Sequence, residues 1–119
     1  MSAPNFKIDP RATHEQQLSK LIPTACFTTA ETDETTTRFY DAADGSVAAG
    51  VWECPPCKIH IDSYPVNEMM TIISGALTIT NADGLTESFG PGEVVFAAKG
   101  AKMTWEITER LKKYYMTSA

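Results

Sequence analysis

The stretch "NEMMTIISGALTITNADG" (Asn67 to Gly84), followed closely by "FGPGEVVFAAKGAKMTWEITE" (Phe89 to Glu109), decides the fold. Each reads as strand, tight turn, strand. In the first, Leu77 and Ile79 alternate with Thr78 and Thr80, the period of two that a half-buried strand requires, and Asn81 to Gly84 supply a hairpin turn. In the second, Gly90, Pro91 and Gly92 mark a turn whose glycines can adopt positive φ, and Val94, Val95 and Phe96 make a short run expected to be buried. After the next turn at Gly100, Met103, Trp105 and Ile107 fall on one strand face, with Thr104, Glu106 and Thr108 on the other. Two hairpins so rich in β-branched and aromatic residues predict an all-β chain folded as an antiparallel barrel.

The rest of the chain extends this pattern in both directions. A short strand is expected over Thr36 to Tyr40, a turn at Asp41 to Gly45, and another strand over Val47 to Glu53. Cys54, Pro55, Pro56 and Cys57 then break the run. Lys58, His60, Asp62 and Tyr64 alternate with Ile59, Ile61 and Ser63, one polar face against one apolar face, until Pro65. A last strand is expected over Lys112 to Met116, after a bend at Glu109 to Leu111, with Lys113 and Tyr115 on one face. At the other end, Met1 to Asp9 reads as an arm, and Thr13 caps a short predicted helix over His14 to Ile22 that Pro23 ends. Thr28 to Thr37, acidic and rich in threonine, reads as a loop or exposed edge strand. The predicted organisation is a short helical or irregular N-terminal segment, residues 1–35, packing on the barrel or on a partner subunit, and a barrel over residues 36–119.

These residues resemble the cupin superfamily, whose first motif ends with a glutamate, six residues and a glycine, the spacing of Glu68 and Gly75. The turns "GPGE" (Gly90 to Glu93) and "AKG" (Ala98 to Gly100) stand where the second cupin motif has its two turns. "GVWE" (Gly50 to Glu53) and "TWEITERLKKYY" (Thr104 to Tyr115) are similar to small single-domain cupins related to the ethanolamine-utilisation cupin and, more distantly, to ureidoglycine aminohydrolase. The resemblance spans roughly residues 39–116 and implies a cupin-type jelly-roll barrel.

Composition bounds the function. With 119 residues the chain forms one domain, large enough to bury about two thirds of its unfolded surface. A net charge of -5, with Lys112 and Lys113 as the one close basic pair, argues against a nucleic-acid partner. The charge-free stretch from Met69 to Ala82 is too short and too rich in threonine and serine to span a membrane as a helix. No apolar signal core occurs near Met1, and three cysteines are an odd number, so a cytoplasmic protein is expected. Neither a G-x-S-x-G elbow nor a phosphate-binding glycine loop is present.

The chemistry centres on Glu68. Cupins that bind a divalent metal use two histidines in an H-x-H pair, the motif-one glutamate and a motif-two histidine. Here the pair is missing and Met103, a soft thioether, replaces the last histidine. A buried carboxylate without a metal must be protonated or paired. The resemblance, together with strand alternation, places Lys113 near it, and implies that Glu68, Trp105, Lys113 and Tyr115 share one cavity, with Tyr64 and Met103 completing a ligand-binding set. The bland alternative makes Trp105 and Tyr115 core aromatics and lets Lys113 reach solvent. A different metal site is conceivable from His60, Asp62 and Glu68, one imidazole and two carboxylates suited to Mn, Fe or Zn, provided all three face inward. On an outer face His60 and Asp62 are simply solvated, and that is the expectation. Cys54 and Cys57 read as turn residues with incidental thiols, because no helix follows to activate them.

Three functions compete. The leading expectation is a cupin that binds a small polar metabolite without a metal or other cofactor, with or without turnover. The alternative is a metal-dependent small-molecule enzyme of the hydrolase, isomerase or dioxygenase kind, built around Glu68. The third is an accessory domain acting through its surface. A homodimer is expected, because small cupins commonly pair and because Phe6, Ile8, Leu18, Leu21, Ile22 and Phe27 form no complete core of their own.

Overall fold

The computed structural model describes residues 5–11, 17–18 and 34–119. Its elements are all strands: β1 (Gln17–Leu18), β2 (Thr35–Asp41), β3 (Val47–Cys54), β4 (Cys57–Ile61), β5 (Asn67–Asn81), β6 (Thr86–Phe89), β7 (Val94–Ala97) and β8 (Met103–Ser118). They form one antiparallel sheet in the order β1-β2-β3-β8-β5-β6, with β4 also on β8 and β7 also on β5. The sheet rolls around a single core without hydrogen-bonded closure among the described residues. The described residues contain no helix long and apolar enough to cross a membrane.

Two long strands carry the architecture. One edge of β8 pairs first with β4 and then with β3, while its other edge pairs along almost all of β5. The second edge of β5 takes β7 and then β6. Both long strands bend at one place. Register shifts fall between Ile72 and Leu77 of β5, opposite residues 107–113 of β8. Gly75 sits there at φ +93°, and a Cβ on it would run into the Arg110 carbonyl, so this position admits glycine alone. The glycine that the sequence pattern singles out therefore marks a fold in the sheet. The shift also changes phase: Glu68, Met70 and Ile72 point inward before it, Leu77 and Ile79 after it.

Several sequence expectations are corrected here. The strand expected over Lys112 to Met116 is the second half of β8, which runs unbroken through the bend. Val94 and Phe96 are exposed, and Val95 alone of that run is buried, because β7 alternates. Glu34, Thr36 and Thr37 are buried, and β2 is not an edge strand, since it pairs with β1 on one side and β3 on the other. Gln17 and Leu18, expected in a helix, pair with Thr36 and Thr35 as β1. The remainder of that predicted helix lies outside the described residues.

Candidate functional site

Alternation supplies the inward-facing residues, and the bend brings them together. Trp105 and Lys113 lie on the same face of one strand, and along a straight strand their eight-residue separation is about 26 Å. The fold in β8 turns its two halves toward each other, so that the Lys113 Nζ lies 4.7 Å from the centre of the Trp105 ring. Trp52, from the neighbouring β3, approaches from another side at 4.6 Å. The two indoles meet edge to face, 6.4 Å between centroids and 83° between planes. An ammonium against two indole faces is held by their quadrupoles in a setting with little competing water.

The same ammonium donates to Glu68 Oε2 at 2.6 Å and to the Met70 sulfur at 3.5 Å. Glu68 is 8% exposed and Lys113 3%, so both charges are withdrawn from water and are sustained by each other. The second carboxylate oxygen accepts a hydrogen bond of 2.9 Å from the Tyr64 hydroxyl. Burial, reinforced by the Glu68 charge, pushes the Tyr64 phenol far above its ordinary value, so it stays a donor. Tyr64 reaches this place because β4 ends at Ile61 and the bend at Asp62 and Ser63 breaks the period of two. Its backbone is then clamped to the Gly100 turn by hydrogen bonds with Gly100 and Ala101. Its ring lies 6.0 Å from that of Trp105, tilted by 32°.

Five of the six expected ligand-binding residues, Tyr64, Glu68, Met103, Trp105 and Lys113, thus form one connected group. Met103 contributes its sulfur as acceptor for the Trp105 indole N–H, at 3.2 Å, which fixes the ring that faces Lys113. Tyr115 shares the inward face, but its hydroxyl pairs with Thr36 Oγ1 at 3.0 Å over Gly50, where a Cβ would stand 2.8 Å from that hydroxyl. It belongs to the wall between β3 and β8 and makes no described polar contact with Glu68.

Sequence reasoning missed Trp52, Met70 and Glu34. Trp52 lies in the "GVWE" motif and Met70 two residues beyond Glu68 on the same face, so a signal existed for both. Glu34 is 3% exposed and accepts the Trp52 indole N–H at 2.9 Å, holding the second ring against Lys113. An acidic residue in a threonine-rich stretch carries no sign of that role.

Outward-facing polar residues complete the picture. His60 sits on the exterior of β4, hydrogen-bonded to Thr104 Oγ1 at 3.0 Å and to Asp62 at 3.1 Å, with the two side chains 41% and 86% exposed. They do not converge with Glu68, which corrects the alternative metal set of His60, Asp62 and Glu68. Among the described residues no three His, Cys, Asp or Glu side chains gather closely enough to hold a metal.

A family model for the EutQ-like cupin domain matches residues 41–115, and those residues contain every member of the group but Glu34. The chain belongs to this cupin family. Its fold is shared by a protein of unknown function in the DUF861 family from Pseudomonas syringae, with a TM-score of 0.84 at 20% identity. That match covers 93% of this chain and 46% of the other, so this cupin spans about half the length of that relative. A Rhizobium leguminosarum protein of unknown function matches over 99% of this chain and 98% of its own, at 20% identity and a TM-score of 0.65. The Clostridium difficile EutQ protein matches over 86% and 79%, at 19% identity and 0.63. At such identities the likeness concerns the fold. No curated protein matches the sequence significantly.

The metal that many cupins hold does not suit this donor set. Both oxygens of Glu68 are engaged, one by a phenol and one by an ammonium. The ammonium already supplies the positive charge a cation would bring, and the sulfurs of Met70 and Met103 are poor ligands for Mn, Fe or Zn.

Proposed function

We propose that this cupin binds a small polar metabolite at the Glu68–Lys113 pair without a metal or other cofactor. The observation that carries the reading is the ammonium held against two indoles and bonded to a buried carboxylate. Such a pair is costly to bury and contributes little to stability beyond what apolar residues of the same size would give. Its value lies in presenting fixed charges inside an apolar wall, where a ligand's charged or hydrogen-bonding group is recognised with little reorganisation. Trp52, Trp105 and Tyr64 supply the walls, and the Tyr64 hydroxyl a further polar contact.

A thermal-shift screen of small carboxylates, amines and ureido compounds tests this, because a ligand specific for the native state raises the melting temperature in proportion to the logarithm of its concentration. Hits that persist unchanged in Glu68→Gln and Lys113→Met, or a full panel without a hit, would remove this reading and leave the accessory-domain alternative. About one Mn, Fe or Zn per chain in protein purified without chelators, lost with Glu68→Gln, would instead establish the metalloenzyme. The cupin is further proposed to act in the cytoplasm as a homodimer.

A further inference from the structure

The pair Cys54 and Cys57 is unlike a turn with incidental thiols. Cys54 ends β3 and Cys57 begins β4, opposite Leu111 and Ile107 on either side of the bend in β8. The turn between them, Pro55 and Pro56, gives up little freedom on ordering and holds the two strand ends in place. Both side chains consequently face inward, and their sulfurs lie 3.7 Å apart. Both thiols are free. A disulfide needs about 2.05 Å between sulfurs, so the two must approach further from 3.7 Å to bond.

The two thiols differ. Cys54 is 0% exposed and Cys57 7%, so a small molecule arriving from outside meets Cys57 first. The hydrogen bond that the two sulfurs share holds Cys57 below the ordinary thiol range and, with burial, pushes Cys54 up. One sulfur is thereby prepared as nucleophile, and the other keeps its proton until needed.

We propose that Cys54 and Cys57 are a modification site for hydroperoxides, closing to an intrachain disulfide. The Cys57 thiolate attacks hydrogen peroxide, breaking the O–O bond to give a sulfenic acid and hydroxide, which the proton released from Cys57 converts to water. Cys54 then attacks the sulfenic sulfur; its own proton leaves with the hydroxyl as a second water and the S–S bond forms. Two thiols are oxidised and one peroxide is reduced to two waters. Because Trp52 lies two residues before Cys54 and caps Lys113, indole emission reports the change.

The test treats reduced full-length protein with stoichiometric hydrogen peroxide, followed by alkylation and tryptic mapping. The peptide Phe39 to Lys58 contains both residues and excludes Cys26. The expected product is that peptide lighter by two hydrogens and unalkylated, returning to the dithiol form with a reductant. Cys54→Ser should stop at a sulfenic acid on Cys57 trapped by a dimedone probe, and Cys57→Ser should slow thiol loss about tenfold or more. Thiols that survive peroxide, oxidation that starts equally well at Cys54 in Cys57→Ser, or a disulfide to Cys26 would each overturn the proposal.

Discussion

Lys113 is almost fully buried, and Glu68 is the carboxylate that pairs with it among the described residues, so the two residues fail together. Removing one member of a buried pair leaves the other charge uncompensated, and Lys113→Met should lower unfolding stability by about 3–5 kcal/mol, read by urea denaturation. The double variant Glu68→Leu with Lys113→Met should recover most of that loss. Additive losses would mean that the pair is not coupled. Tyr64 makes a sharper prediction through pH. Its phenol is held protonated in the folded protein, whereas in the unfolded chain it titrates near 10.0. Below that value both states carry the proton and nothing changes. As pH rises above it, the unfolded chain releases a proton that the folded protein keeps, so stability falls. Tyr64→Phe should abolish this part of the alkaline decline while lowering stability at neutral pH by about 1–3 kcal/mol for the lost hydrogen bond to a carboxylate. An identical alkaline slope in both proteins would contradict the assignment.

At the level of strands, the folded shape depends on one glycine facing one carbonyl. Gly75→Ala should cost about 1–3 kcal/mol for the positive φ alone, with a further loss from displacing Arg110. Because the bend brings Trp105 to Lys113, indole emission should change along with stability. Unaltered emission in a folded Gly75→Ala protein would show that the bend does not set the site. The sequence made the turns legible, since Asn81 to Gly84, Gly90 to Gly92 and Gly100 are glycine-rich breaks in an alternating pattern. It made the pairing of Glu68 and Lys113 legible through motif resemblance. It did not show that β5 and β8 continue through their irregularities, because a glycine in a periodic run looks the same whether the chain reverses there or only bends. Nor could it show Glu34 turned inward, since that depends on the position of the Trp52 indole, eighteen residues away. Tyr64 was named for the site although the period of two assigned it to the polar face with His60. What moves it inward is the break after Ile61, a feature of the loop and not of the strand.

Across the molecule, register lines up an outward row of Tyr40, Ala49, Met116, Met69 and Phe96 on five adjacent strands. Its four large side chains are exposed, and Val94 on β7 extends the surface. An uncharged row of this kind on a sheet is suited to a second copy of itself about a two-fold axis. Light scattering at micromolar concentration should give the dimer mass for the native chain, and the monomer mass for Phe96→Glu combined with Met116→Lys. A native monomer would refute the proposed homodimer. The order of the strands also has a consequence in time. β8 follows the other described strands in sequence, yet it is the one on which β3, β4 and β5 all assemble, and its contacts reach back to Val47, paired with Ser118. Until it is synthesised those three strands have no common neighbour, and closing such long loops makes folding slow compared with a helical domain of the same size. Without β8, the edges of β3 and β4 that it covers, and one edge of β5, stay unpaired. Edges left open in this way are where such a chain is prone to pair with other chains.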